Sequence, residues 1–224
     1  MHKTPLNTIK QNMNFKKLTI AAGIALSVCA FSAKAQKAYN EGVITYSVTS
    51  ARGNAESKTY FRGDSSVTVT QQGPATIKVI SVGKDYLAIL VDVPVANMKK
   101  AAIATPAEME QFTSMLPQLT FTPGTETKQI AGFNCKKVIA KDDKGNSYDI
   151  WITNDISAPL NGISHLYSKV GGFPVEFTTF QMGQTVSVSL KSISDEKVPA
   201  GTFGIPADFD KITMTELQSL GGNR

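Results

Sequence analysis

The chain of 224 residues carries 23 Lys and Arg against 18 Asp and Glu, a formal charge of +5. Five of those lysines, at positions 3, 10, 16, 17 and 34, fall in the first 35 residues, which hold no acidic side chain, so residues 36–224 balance at 18 of each sign. Phosphate binding demands a cationic excess, and with only local pairs such as Lys99-Lys100 and Lys136-Lys137 left, nucleic acid is not an expected partner.

Residues 14–36, NFKKLTIAAGIALSVCAFSAKAQ, have the three parts of a secretory signal peptide. Lys16 and Lys17 form the positive end, and residues 18–28 form an apolar run shorter than the roughly 20 residues a membrane-spanning helix needs. Ala33-Lys34-Ala35 then places small side chains at the two positions signal peptidase requires, predicting cleavage before Gln36 and a mature chain in the periplasm or beyond it. Met13 stands directly ahead of this leader, so residues 1–12 read as a misassigned upstream start. Leu26-Ser27-Val28-Cys29 resembles a lipobox, but Val28 occupies the place of a small residue, which makes anchoring at Cys29 the weaker alternative.

The remaining 189 residues suffice for one domain with a full core. Of them 48 are Val, Ile or Thr, whose branched Cβ favours the pleated sheet. Period-2 alternation begins in GVITYSVTS, where Ile44, Tyr46 and Val48 share a face. SKTYFRGDSSVTVTQ follows as a hairpin turning at Gly63-Asp64, and ATIKVISV and YLAILVDV form the next pair around Gly83-Lys84-Asp85. ATPAEMEQFTSML predicts a helix: Thr105 is the N-cap, Pro106 the first helical residue and Glu108 the capping-box partner. Met109, Phe112, Met115 and Leu116 recur at helical spacing, giving it one apolar face. Strands are expected at 128–140, 147–153, 175–181 and 185–193, for eight or more in consecutive antiparallel order. A short C-terminal helix is capped by Thr213 and Glu216 and stops at Gly221.

Catalytic signatures are sparse. Cys135 has no second cysteine in the mature chain, and one histidine, His165, stands thirty residues away. A nucleophilic thiol needs a base or cation to form thiolate. Phe133 and Cys135 alternate with Asn134 and Lys136, so Cys135 is expected in the core, and no catalytic residue is assigned. Zinc wants three or four Cys, His or carboxylate ligands, so no metal or cofactor is expected. Asp142, Asp143, Gly145 and Asn146 read as a solvated hairpin turn rather than a calcium loop, because the closing acidic residue is missing. Arg62-Gly63-Asp64 matches the integrin-binding tripeptide, a short string that here serves a turn.

IAGFNCKKVIAKDDKGNSYDIWITND, followed by VGGFPVEFTT and VPAGTFGIPADFDKI, resembles a domain-of-unknown-function family of exported Bacteroidota proteins related to the GLPGLI proteins. The matching elements are the strand from Gly132 to Lys137, the aromatic strand ending at Trp151 to Thr153, Gly172-Phe173-Pro174, and Phe203 with Ile205-Pro206. GGFPV at 171–175 departs from the literal GLPGL string. The resemblance implies a fold similar to the outer-membrane lipoprotein carriers: mainly β (α+β), a curved antiparallel half-barrel with one or two short helices across its concave face. In such carriers acyl chains lie between sheet and helices. The resulting expectation is a non-enzymatic periplasmic or envelope-associated protein that binds a lipid or lipoprotein acyl chain. Met109, Phe112, Met115, Leu116 and Trp151 are the candidate cavity and lid residues. The alternative is a structural or protein-interaction module with a filled core, partnered by an outer-membrane or envelope protein.

The leader predicts a measurable mass. Protein recovered from the envelope should begin at Gln36, with or without cyclisation of that glutamine; a diacylated N-terminal Cys29 in the mass spectrum would overturn this.

Overall fold

The computed structural model describes residues 36–221 apart from 52, 182 and 183. The leader, most of its cleavage motif and the alternative anchor Cys29 lie outside the described residues. In chain order the elements are β1 (Lys37–Ala38), β2 (Glu41–Ser50), β3 (Gly53–Arg62), β4 (Ser65–Gln72), β5 (Ala75–Val82), β6 (Tyr86–Val93), β7 (Met98–Ile103) and α1 (Pro106–Ser114). There follow β8 (Thr120–Ile130), β9 (Phe133–Lys141), β10 (Ser147–Thr153), β11 (Ile156–Ser157), a 3-10 turn (Gly162–Tyr167), β12 (Phe173–Gln181), β13 (Gln184–Ser194), β14 (Asp210–Ile212) and α2 (Met214–Gly221).

The hairpins turn where the sequence signals them, at Gly63-Asp64 between β3 and β4 and at 83–85 between β5 and β6. One expected strand is corrected. Residues 128–140 are not a single strand but the close of β8, a two-residue turn and most of β9. Ala131 (φ 50°) and Gly132 (φ 81°) both take positive φ, as a type I′ turn requires. Alanine is a poor sign of that conformation, and the apolar and basic residues on either side masked it.

Twelve strands form one curved sheet that does not close, in the order β14-β7-β6-β5-β4-β3-β2-β13-β12-β10-β9-β8. It consists of two runs of antiparallel neighbours, joined where β2, first of one run, pairs with β13, last of the other. β14 adds in parallel to β7, and β1 pairs in parallel with β11 apart from the main sheet. The consecutive antiparallel order therefore holds within each run, and the β2–β13 junction and the parallel additions depart from it.

The direction of curvature follows from chain length. Ten strand spacings of about 4.8 Å separate β7 from β8, so a flat sheet would hold them roughly 48 Å apart. The connection of residues 104–119 includes a nine-residue helix. At about 1.5 Å per helical residue and 3.4 Å per extended one, it spans at most about 40 Å. The sheet must curl toward the face this connection crosses. Met109 and Phe112 near its start, like Ile89, pack against the cluster of Ala102, Ala104 and Met214, while Leu119 and Phe121 at its end pack with the cluster that contains Ile44 and Tyr46. Ile44, Thr59, Thr68, Val79, Ile89 and Ala102 are successive direct partners in the ladder, so both clusters share that concave face.

The larger cluster fills one end of the hollow with aromatic rings. Tyr46 meets Phe177 edge-on at 6.1 Å, and Tyr167 of the 3-10 turn lies 5.1 Å from Phe177 and 6.3 Å from Phe121. Tyr167 donates its hydroxyl to the Thr178 carbonyl, satisfying the one polar atom it buries. On the convex face, Val67, Ile80, Ala88 and Leu90 are covered by Phe203, Ile205 and Phe209 from the stretch between β13 and β14.

That covering stretch is fixed at the start of β2. Glu41 accepts from Arg62 Nη2 at 2.6 Å, from Lys197 Nζ at 3.0 Å and from the Val198 amide at 2.9 Å. Beside it, a Cβ on Gly42 would lie 2.0 Å from the Ser194 carbonyl oxygen, so only glycine lets β2 and the end of β13 come this close. Hydrogen bonds from Arg62, Val198 and Lys197 hold the Glu41 carboxyl down at about 2, against an ordinary 4.5. A depressed carboxylate stabilises the fold fully above its unfolded value and loses that contribution as pH falls through its folded value. The wild-type thermal midpoint should therefore fall between about pH 4.5 and 2 partly through Glu41. Glu41→Gln should lower the midpoint at pH 7 and flatten that segment of the profile; an unchanged profile by circular dichroism would count against the anchor.

Candidate binding site

Between the two clusters on the concave face the sheet is only half-buried. Its floor comprises Thr59, Thr68 and Thr70 with the aliphatic Ile77, Val79, Ile89 and Val91. Cross-strand pairing places these groups side by side, because opposed residues of a pleated ladder point to one face. The hydroxyls are already engaged: Thr59 and Thr68 share a hydrogen bond of 2.9 Å, and Thr70 donates to Ser57 at 3.0 Å. A floor of aliphatic carbons and satisfied hydroxyls accepts an apolar occupant without orphaning a polar group.

The helix α1 stands on the connection that crosses this face. Its N-terminus is fixed by the expected capping box, with the Thr105 amide and hydroxyl donating to Glu108 at 2.7 and 2.8 Å and the Glu108 amide returning to Thr105 at 3.3 Å. The Thr105 bonds draw the Glu108 carboxyl below its ordinary value. The same box recurs at Thr213 and Glu216 of α2, which lies beside it and buries Met214 against Ala102 and Ala104. No residue of α1 itself is buried. Its tie to the sheet is the half-buried pair Met109 and Phe112, so it is held by few partners for its length.

The predicted lining residues are divided among three environments. Met109 and Phe112 both pack, half-buried, against the buried cluster of Ala102, Ala104 and Met214. Met115 and Leu116, at the C-terminal end of the helix, are exposed at 67% and 37%. Trp151 does not join them: its cross-strand partners Lys137 and Glu176 put it in the convex row that runs on to Ser189 and Ser47. It is buried there, with the Lys128 ammonium 4.2 Å from the ring centroid and Lys128 paired to Glu176 at 3.1 Å. Spacing along the chain carries no information about which face a strand 35 residues away presents, so the sequence grouped Trp151 with the helix on aromaticity alone. The floor of threonines and aliphatics was equally readable as alternation but went unrecognised as a site, because half-burial depends on what crosses above it.

The depressions among the described residues include the following two. One, of about 170 Å³, is lined by Ile103, Thr105, Glu108, Lys211 and Met214 at the N-termini of both helices. The other, of about 200 Å³, lies on the convex face among Ser47, Ser187, Ser189, Asp149 and Glu176. Both fall short of the roughly 300 Å³ at which small-molecule pockets begin.

The groups considered for chemistry are occupied structurally. Cys135 is 1% exposed, its Sγ donates to the Phe133 carbonyl at 3.5 Å, and burial pushes the thiol up. His165 lies exposed on the 3-10 turn. Asp142 is also buried rather than solvated: it accepts from the amides of Lys144 and Asn146, the Asn146 side chain and the Tyr148 hydroxyl, and these bonds, the Asn146 side chain foremost, hold its carboxyl below the ordinary value. Both of its oxygens are spent inside the turn. Arg62 of the Arg-Gly-Asp string is likewise committed to Glu41 and to the Val198 carbonyl.

No protein-family model matches the chain. No curated protein matches it either. Among solved structures it is similar to PNGF-II, with 14% identity over 80% of this chain and 32% of that one and a TM-score of 0.45. It is also similar to MucB in complex with MucA(peri), with 11% identity, coverage of 78% and 57%, and a TM-score of 0.43. The MucA/MucB complex of Pseudomonas aeruginosa gives 10% identity, coverage of 78% and 58%, and a TM-score of 0.45. The chain thus spans less than two thirds of each of these, and overlaps at this level assign it neither a site nor a partner. No helix among the described residues is long and apolar enough to cross a membrane.

With Cys135 assigned to packing, Cys135→Ala should fold normally and lose about 1 kcal/mol, as truncation of a small buried side chain does. Denaturant melts check the loss. A variant of normal stability that abolished an assayed activity would return the thiol to candidate chemistry.

Proposed function

We propose that the protein is a non-enzymatic binding protein of the cell envelope whose amphiphilic ligand lies on the concave face beneath α1. The observation that carries this is the pairing of a half-buried, hydrogen-bond-satisfied aliphatic floor with a crossing helix that buries none of its own residues. Lifting such a helix sacrifices little packing, and an acyl chain inserted below would restore it. Each methylene removed from water is worth about 0.8 kcal/mol, so a sixteen-carbon chain gains on the order of 12 kcal/mol before ordering and association are charged against it. The thioether of Met109 suits a lining that adapts to variable chains. The expected leader provides the route to the envelope.

A second reading rests on the aromatic filling at the other end of the hollow. Tyr46, Phe121, Tyr167 and Phe177 occupy the space a deep carrier cavity would need, which favours a structural or protein-interaction module whose partner is another envelope protein.

Phe112→Ser separates the two. For a lid over a ligand, the wild type binds a fluorescent fatty-acid probe, organic extraction of envelope-purified protein yields lipid, and the variant loses probe at a nearly unchanged thermal midpoint. For a filled core, the wild type takes up no probe and the variant loses roughly 3 kcal/mol, seen as a drop of several degrees.

A further inference from the structure

The cluster against which both helices pack has three buried residues, Ala102, Ala104 and Met214, and two of them are alanines at the end of β7 and just beyond it. The one long side chain comes from α2, where Met214 is 2% exposed. The helix α1 buries none of its own residues and reaches this cluster through the half-buried Met109 and Phe112. We propose that β14 and α2 form a latch for α1: the helix keeps its place on the sheet while this C-terminal arm is docked and loses it when the arm lifts. What that means for ligand entry rests on the reading of the concave face as the binding site.

The arm can leave without disturbing the rest of the sheet. β14 is three residues long and pairs with β7 alone, Asp210 beside Lys100, Lys211 beside Ala101 and Ile212 beside Ala102. It lies at the edge, so its loss leaves the antiparallel pairing of β7 with β6 intact. The ion pair that supports it, Lys100 to Asp210 at 2.8 Å, has a carboxylate 74% exposed and adds little. The chain just before it is tied down separately, with Phe209 in the convex cluster and Asp208 on Lys99 at 2.6 Å. Opening therefore starts at Asp210 and takes β14 and α2 as one local unit of low stability.

The dependence runs in one direction. Lifting the arm removes one of the three buried residues of the cluster, whereas lifting α1 removes none. Each helix carries its own Thr-Glu box, at Thr105 and Glu108 and at Thr213 and Glu216, and among the described residues no hydrogen bond or ion pair joins one helix to the other. Between their N-termini the depression of about 170 Å³ lies open, with Thr105, Glu108, Thr213 and Met214 in its lining. The shared apolar cluster is thus what couples them, and the removable part of it belongs to α2.

Hydrogen exchange read by mass spectrometry on the mature chain tests the latch without any ligand. Asp210→Lys sets like charge against Lys100 and Thr213→Val removes the cap hydroxyl, so together they loosen the arm at exposed positions and alter no residue of α1. In this double variant the amides of residues 106–116 should exchange about tenfold faster or more, together with those of 213–221, while β4 and β5 keep wild-type protection. Thr105→Val, which opens the box of α1, should speed 106–116 and leave 213–221 unchanged. An arm that loosens while α1 stays as protected as in the wild type, or a Thr105→Val variant in which both helices loosen alike, would overturn the inference. A double variant that also loses protection in β4 and β5 is replaced by Thr213→Val alone, judged by the same criterion. A fluorescent fatty-acid probe then separates latch from ligand: it should enter the double variant faster than the wild type by a similar factor. A wild type that takes up no probe refutes the ligand reading alone and leaves exchange to decide the latch, whereas probe binding at a rate unchanged in the double variant overturns the latch.

Discussion

A sixteen-residue connection ties together two strands that lie ten spacings apart in the same sheet, and most of the architecture follows from that short tether. It forces the sheet to curl, decides which face becomes concave, and carries α1, which packs on that side against Ala102, Ala104 and Met214. The curl in turn brings the aromatic cluster and the two-helix cluster to face the same interior, leaving the threonine and aliphatic rows between them half-covered. A longer connection would permit a flatter sheet and a helix docked at one edge, with no floor beneath it.

The convex side is organised by a different constraint. An open sheet with apolar rows on both faces needs a second cover, and the stretch after β13 supplies it with Phe203, Ile205 and Phe209. Its path is set where Glu41 gathers Arg62, Lys197 and the Val198 amide, and where Gly42 admits the Ser194 carbonyl. The same carboxylate therefore joins β2, β3 and the C-terminal cover, three pieces far apart in sequence. Exposed ion pairs contribute little individually, and Arg62 and Lys197 are 50% and 89% exposed, but the Glu41 carboxylate is itself only 17% exposed and is reinforced by a backbone amide.

Local signals were legible in the sequence and long-range ones were not. Alternation marked the faces of β2 through β4, glycine turns marked the β3–β4 and β5–β6 hairpins, and Thr-x-x-Glu marked both helix starts, because each is a property of a few neighbouring residues. The thiol of Cys135 was legible for the same reason, as one member of an alternating strand. The turn at Ala131-Gly132 was missed since its first residue has a side chain that ordinarily avoids positive φ. The β2–β13 junction, the parallel β14 and the convex position of Trp151 depend on contacts between distant segments, which no local period encodes. Of the candidate site, the helix and the apolar positions Met109 and Phe112 could be read; the half-buried floor could not be recognised until the curvature was known.

The two surfaces left open by the fold are mechanically separate even though they adjoin in sequence. From α1 the chain runs through Pro117 into β8, but Leu119 and Phe121 pack into the aromatic cluster immediately afterward and pin the strand. Leu119 and Phe121 thus fix the chain between the helix and the rest of the strand. The edge and the hollow also differ in kind. The edge strand β8 carries Glu126 and Lys128, each exposed and ion-paired on the convex face. The hollow presents carbon and satisfied hydroxyls, which set no register and tolerate chains of varying length.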